Sequence, residues 1–484
     1  MSTLPPTLDS PEPENLSAGV VRQTVELLAL LCVGVILFRA FAAEAYVVPT
    51  GSMAPTLLGR HLDFTCPGCG FRFDVGVDEE AHSARPVCPN CGQSDFDRRP
   101  GVVSGGDRVL VQKLVYEFRA PRRWEVAVFQ YPADLSQAYV KRVVGLPGES
   151  VQIVDGDVWI NDRVARKSLH DIRATRILTH DGRYAPADSN RYPRWEFRRG
   201  PKLQLEPSGW SQGRDGFHHE LVDYSGIDTD DWLIYRHWDP ILERYGPVRD
   251  HYGYNGRDLD SNNIVKDVGL EARVRIGPAV EELSIMLRSA GDRFIVRIPV
   301  GGDEPVRLTR NGTSRRIELR ENPLAVATVE ETEHLVEAYA FDQRVAVAID
   351  GELVFEPFDY DDPAEPRYND ESPAALGVRG GAMAAPDLKI YRDIHYTSSL
   401  GAIHRHPHGV SEPYELKRDE YFVLGDNSPV SNDSRFWASG PVVPRSMFLG
   451  KPFLVHLPGR VMALEVFGRS VYWIPDPRRI RYIH

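Results

Sequence analysis

The sequence predicts a mostly β protein with one N-terminal helix, and three features of the chain carry that expectation. From Gly269 to Gly351 runs a series of short segments in which apolar and polar residues alternate between Gly and Asp turns. Side chains on a strand point to opposite faces in turn, so this pattern reads as antiparallel strands with one face in a core. Two Cys-x-x-Cys knuckles mark a small unit held by a metal ion or by disulfides. Between Leu27 and Phe38 the chain is uncharged and nearly all apolar, the composition of a helix in an apolar setting.

In chain order, residues 1–22 carry Pro5, Pro6, Pro11 and Pro13 among acidic residues and read as a disordered tail. Residues 23–45 read as a transmembrane helix: the apolar run continues past Arg39 to Ala43, about 17 residues, the lower limit for a span. Arg39 near its end can snorkel to headgroups. A buried core helix is one alternative, and a cleavable signal peptide is another, because Ala43-Glu44-Ala45 imitates an A-x-A processing site. Arg22 is the sole basic residue before the span, so charge leaves the orientation open. Phe41, Tyr46, Val47 and Val48 are expected to lie against the bilayer surface.

Residues 46–60 contain Pro49-Thr50-Gly51-Ser52-Met53, a small-residue turn bearing a serine. Alone, such a turn is as well explained by ordinary loop geometry. Three segments come after it in order: Gly106-Asp107-Arg108-Val109-Leu110-Val111, then Val140-Lys141-Arg142-Val143-Val144-Gly145, and finally Gly425-Asp426-Asn427-Ser428-Pro429-Val430-Ser431-Asn432-Asp433-Ser434-Arg435. Together the four resemble the successive motifs of type I signal peptidases, membrane-bound serine proteases that remove signal peptides from exported proteins. They cover about a third of the chain.

A serine hydroxyl needs a base, and the four motifs hold no histidine. Lys141 is the candidate, provided burial lowers its pKa from about 10.4. Strand alternation is expected to send Lys141 and Arg142 to opposite faces, one inward; a solvated basic pair at a strand edge is the bland alternative. The resemblance implies Ser52 as nucleophile and the Ser52 N–H with the Thr50 hydroxyl as oxyanion donors. It further implies Ser431 bonded to the Lys141 amine, Asp433 and Arg435 as a supporting ion pair, and Asp426 and Asn427 shaping the turn beneath. Relatives commonly carry arginine where this chain has Ser428, which puts a local salt bridge in doubt. Ser52 and Lys141 lie 89 positions apart. Removing residues 61–104 leaves about 45, a separation a compact β-domain closes easily.

That removable segment, 61–104, holds Cys66, Cys69, Cys88 and Cys91 in a C-x2-C-x18-C-x2-C spacing, each pair followed by glycine. The pattern predicts a zinc-ribbon-like insertion with a structural zinc, since four thiolates leave no open coordination position for catalysis. Two disulfides are the alternative in an oxidising compartment. No cofactor is expected for catalysis itself. Cys32 lies in the apolar run and reads as packing.

Residues 105–164 and 411–484 supply the rest of the catalytic core, with Val151–Val154, an Asp155-Gly156 turn and Val158–Ile160 as a hairpin and Tyr421–Leu424 as a buried strand. Residues 165–410 exceed what a catalytic core needs. Their C-terminal half predicts an inserted β-sandwich, and its strand-turn-strand ending resembles concanavalin/laminin-G-type jelly rolls. A passive or interaction role suits it better than carbohydrate binding, and its ligand or protein partner stays unnamed.

The chain has a net charge of −12 and no basic block, which excludes nucleic acid as a partner and a broad electrostatic grip on lipid headgroups. The resulting expectation is a single-pass serine endopeptidase of the bacterial inner membrane, its catalytic domain on the exported side as the resemblance implies. Its partners would be preprotein signal peptides and membrane lipid, and cleavage would occur after small residues of the A-x-A type. A membrane-anchored binding protein with an inactive protease core, and a self-cleaving Ser/Lys protease, are the alternatives.

Overall fold

The computed structural model describes residues 16–37, 43–77, 85–96, 103–186, 192–199, 208–213, 215–221, 230–257, 262–302, 304–325, 331–367, 370–398, 407–459, 461–466, 469–475 and 479–483. Among these residues strands far outnumber helices, as the alternating segments predict.

An eight-stranded antiparallel sheet forms the first unit, in the order Ala43–Val47, Arg108–Gln112, Phe448–Leu457, Val126–Tyr131, Asp134–Gly145, Glu420–Leu424 and Val443–Pro444, with Arg481–Tyr482 beside Phe448–Leu457. Val126–Phe129 is buried throughout because both faces of this sheet are covered. Val126 and Val128 pack with Val48, Met53, Leu57 and Val455, while Ala127 and Phe129 pack on the other side with Tyr116, Val143, Tyr421 and Trp437. Each such valine or phenylalanine contributes about 1.5–3 kcal/mol on burial.

Two further sheets, of nine and seven strands among the described residues, lie around a common core. Leu270, Ala272, Val274 and Ile276 of Val268–Ile276 enter it from one sheet, and Leu283, Ile285 and Leu287 of Val280–Ser289 enter from the other. Alternate residues of both segments enter this core as expected, but the opposite face is covered as well over residues 268–272 and 282–287. Residues 165–260 precede that alternating series, yet Ile177–Asp181 pairs with Met383–Arg392 and Asp231–Tyr235 pairs with Ala374–Gly380. Their partners lie far along the chain, where a local pattern cannot reveal them. The joint between the units holds Trp124, Val151, Ile153, Tyr252, Tyr396 and Phe422. Beside these, Lys167 Nζ lies 2.8 Å from Asp342 and 2.6 Å from Asp393, all three buried.

The N-terminal expectation needs correction. The helix spans Leu16–Leu37, so residues 16–22 are helical; residues 1–15 and 38–42, including Arg39 and Phe41, lie outside the described residues. The predicted transmembrane span 23–45 does not hold at its end, because Ala43–Val47 is a strand registered on Arg108–Gln112. Among the described residues no helix is long and apolar enough to cross a membrane. Leu27–Leu37 offers about 16 Å of apolar helix against a hydrocarbon core of roughly 30 Å. Val48 is not at a surface either: it is 2 % exposed in the core, whereas Val47 is 55 % exposed.

Candidate active site

Ser52 sits in a single 3-10 turn, Gly51–Met53, entered through an extended Thr50. Apolar anchors on its C-terminal side fix the turn, since Met53 and Ala54 are fully buried and Leu57 fills the core below. Opposite lies the strand Asp134–Gly145, largely exposed over its first half and buried from Lys141 onward. Lys141 Nζ donates to Ser52 Oγ at 2.5 Å. Burial is the largest influence on this amine and holds its pKa down at about 8; the charges of Asp433 and Asp426 pull it up, and Arg435 pushes it further down.

The expectation that only one of the two basic residues points inward is wrong. They do face opposite sides, but both sides are covered, and Arg142 is fully buried. Its guanidinium grips Asp426 with two hydrogen bonds, at 2.8 and 2.6 Å, and donates to the Trp124 carbonyl at 2.6 Å. Asp426 also accepts from the Thr56 hydroxyl at 2.5 Å, so this carboxylate ties the lysine strand to the loop carrying Ser52.

Asn427 donates twice to that loop, from its backbone N–H to the Ser52 carbonyl at 3.0 Å and from Nδ2 to the Gly51 carbonyl at 3.0 Å. Asp433 and Arg435 form the expected buried pair, 2.8 Å apart. Asp433 also accepts from the Gly425 N–H at 3.0 Å. At the position where relatives commonly carry arginine, Ser428 Oγ accepts from Arg435 Nη1 at 2.8 Å and from the Thr397 N–H at 2.7 Å. Ser431 departs from expectation: its hydroxyl is fully buried but makes no hydrogen bond to Lys141 or to any other group among the described residues. It occupies the space that a side chain at Gly425 would fill, next to the Ser52 carbonyl. Thr50 is exposed at the rim of a cleft of about 620 Å³ that also takes in Ser52, Tyr139, Lys141 and Val128.

Tyr252, Tyr254 and Asn255 carry no signal in the sequence, yet they reach the site from within residues 165–410. Tyr252 donates to the Asp426 carbonyl at 2.7 Å, and Asn255 pairs with Asn427.

At the other side of the serine loop, the hairpin His61–Thr65/Arg72–Gly76 and the Cys88 turn bring four sulfurs within 4.8 Å of one another. Cys66 and Cys91 are 3.4 Å apart and Cys69 and Cys88 3.7 Å. Four ligands at about 2.3 Å from a zinc ion stand about 3.8 Å apart, so the set fits a tetrahedral site. Gly70 and Gly92 take the left-handed conformation, φ 76° and 79°, that closes each knuckle, and their N–H groups donate back to the Cys66 and Cys88 carbonyls. No disulfide joins any two of the four cysteines in this structure.

Residues 101–197 and 342–457 match the family described as "Signal peptidase, peptidase S26"; they contain Lys141 and Asp426–Arg435 but not Ser52. In these segments the chain is similar to a peptidase family. Signal peptidase I of Rickettsia typhi is 26% identical over 202 residues, 42% of this chain and 58% of that protein. The enzyme of Leptolyngbya laminosa is 29% identical over 163 residues, 32% of this chain and 53% of its own. The chain thus spans about half the length of the curated relatives it matches. In these segments the chain is similar to the type I signal peptidases. Among solved structures, a galectin from the sponge Cinachyrella is 18% identical, covering 26% of this chain and 92% of its own at a TM-score of 0.21, too loose an overlay to carry weight.

Proposed function

We propose that the chain is a membrane-attached signal peptidase I that cleaves preproteins after small residues of the A-x-A type, with Ser52 as nucleophile and Lys141 as general base. The observation that carries this reading is the 2.5 Å contact between Lys141 Nζ and Ser52 Oγ, with the amine buried and its pKa lowered. Neutral Lys141 takes the Ser52 proton as Oγ attacks the scissile carbonyl, and the ammonium then protonates the leaving amine. The Ser52 N–H and the Thr50 hydroxyl receive the developing oxyanion. The same amine, neutral again, activates a water to hydrolyse the acyl-enzyme. Asp426, Asn427, Asp433 and Arg435 hold the two catalytic segments together, and Ser431 packs beneath them. The substrate would lie extended in the cleft, where small side chains fit by steric exclusion.

Membrane attachment is assigned to the helix Leu16–Leu37, which exposes Val20, Val25, Leu27, Leu30 and Leu31 by more than half and so calls for an apolar partner. In this reading the protein sits at the bacterial inner membrane with the catalytic unit on the exported side. Cys66, Cys69, Cys88 and Cys91 would hold a structural zinc, which contributes folding energy to the ribbon and takes no part in hydrolysis.

The test is cleavage of an A-x-A preprotein by the purified full chain and by Ser52→Ala. Cleavage at the expected bond by the first and none by the second supports the assignment. Equal rates, or no cleavage by the intact chain, would remove it.

A further inference from the structure

The large insertion exceeds what a catalytic core needs, yet one short turn of it lies against the serine loop. In the 3-10 turn Gly253–Asn255, the Tyr254 ring occupies the space where side chains at Gly51 and Gly76 would otherwise stand, and its hydroxyl donates to the Arg60 carbonyl at 2.8 Å. One ring thus spans both the serine loop and the ribbon hairpin. Asn255, 7 % exposed, forms a reciprocal amide pair with Asn427, each Nδ2 donating to the other Oδ1 at 2.8 Å.

This pair has a geometric consequence. Asn427 has two Nδ2 hydrogens; with one on Asn255 Oδ1, the other is directed at the Gly51 carbonyl at 3.0 Å. That carbonyl also accepts from the Ala54 N–H at 3.0 Å. The Gly51 C=O and the Ser52 N–H share one planar trans peptide and point in opposite directions. Fixing the carbonyl therefore fixes the N–H, on the side away from Asn427.

We infer that Asn255 is a positioning residue for the reaction, acting through Asn427 and the Gly51 carbonyl to aim the Ser52 N–H as the oxyanion donor. The inference rests on the proposed Ser52 chemistry. It makes the insertion part of the catalytic apparatus: without Asn255 the Asn427 amide is free to rotate, and the peptide preceding the nucleophile loses one of its two anchors. Small misalignments of this kind cost about 10- to 100-fold in turnover.

The experiment uses the full chain with Asn255→Ala, the near-isosteric Asn255→Leu, Asn427→Ala, the Asn255→Ala/Asn427→Ala double variant, and Ser52→Ala as control. Steady-state cleavage of an A-x-A peptide is measured alongside amide hydrogen exchange over residues 49–58. Both Asn255 variants are expected to lose about 10- to 100-fold in kcat with KM within about twofold, and the double variant should be no worse than Asn427→Ala alone. Exchange over residues 49–58 should accelerate in both. An unchanged kcat, a loss confined to KM, or losses that multiply in the double variant would overturn the inference. The exchange arm decides independently of activity. If Ser52→Ala cleaves like the parent, the peptidase reading fails, and unchanged exchange in the Asn255 variants then refutes the positioning link as well.

Discussion

Lys141 is 3 % exposed, and its burial brings the amine pKa from 10.5 down to about 8. At pH 7 a base of pKa about 8 is neutral in roughly one molecule in ten, whereas at 10.5 it would be neutral in about one in 3,000, so burial gains some 300-fold in available base. The value of kcat/KM should therefore rise about tenfold per pH unit below 8 and level off above it. The assay is cleavage of an A-x-A peptide between pH 6 and pH 10, with Lys141→Arg as an inactive control because a guanidinium stays protonated. The same shift acts on stability. Between pH 8 and 10.5 the unfolded chain holds a proton on Lys141 that the folded chain has lost, so the folded state gains stability as pH rises through that window. Below pH 8 both states are protonated and the cost is fully present, about 3 kcal/mol. Lys141→Met should therefore unfold at higher denaturant than the parent below pH 8, with the advantage fading toward pH 10.5. A rate that keeps rising tenfold per unit up to pH 10, or a flat profile from pH 6 to 9, would refute the argument that burial tunes this amine.

Two further outcomes are expected. Asp426→Ala leaves the Arg142 charge without its carboxylate in a fully buried site, with only backbone carbonyls as acceptors, and should cost about 3–5 kcal/mol in denaturant unfolding, while Asp426→Leu combined with Arg142→Met should recover most of that loss; an Asp426→Ala loss under about 1 kcal/mol would show the pair to be superfluous. Purified protein should carry about one zinc per chain, and chelation should open residues 61–96 to proteolysis while cleavage of a short peptide continues. Finding two disulfides among Cys66, Cys69, Cys88 and Cys91 instead, or zinc-dependent cleavage of the short peptide, would contradict that role.

What the sequence determined by itself is what depends on near neighbours. The Gly51-Ser52-Met53 turn, the cysteine knuckles and their glycines, and the alternation in Val268–Ile276 are all properties of a few consecutive residues, and each was legible as such. The nearness of Lys141 to Ser52 was legible through the motif in which the lysine stands. Its companion Arg142 was not, because alternation shows only that the two side chains diverge and leaves open whether both faces are covered. That depends on Asp426, 284 positions away. Tertiary structure also decided the N-terminal boundary: Ala43–Val47 continues an apolar run in sequence but becomes a strand because Arg108–Gln112 offers it an open edge. Asn255 lay in a stretch with no recognisable pattern, and it acquires its place only when the insertion folds back onto Asn427, 172 positions away. Local physics writes turns, strands and ligands into the chain, whereas burial and pairing across hundreds of positions exist only once the sheets have assembled.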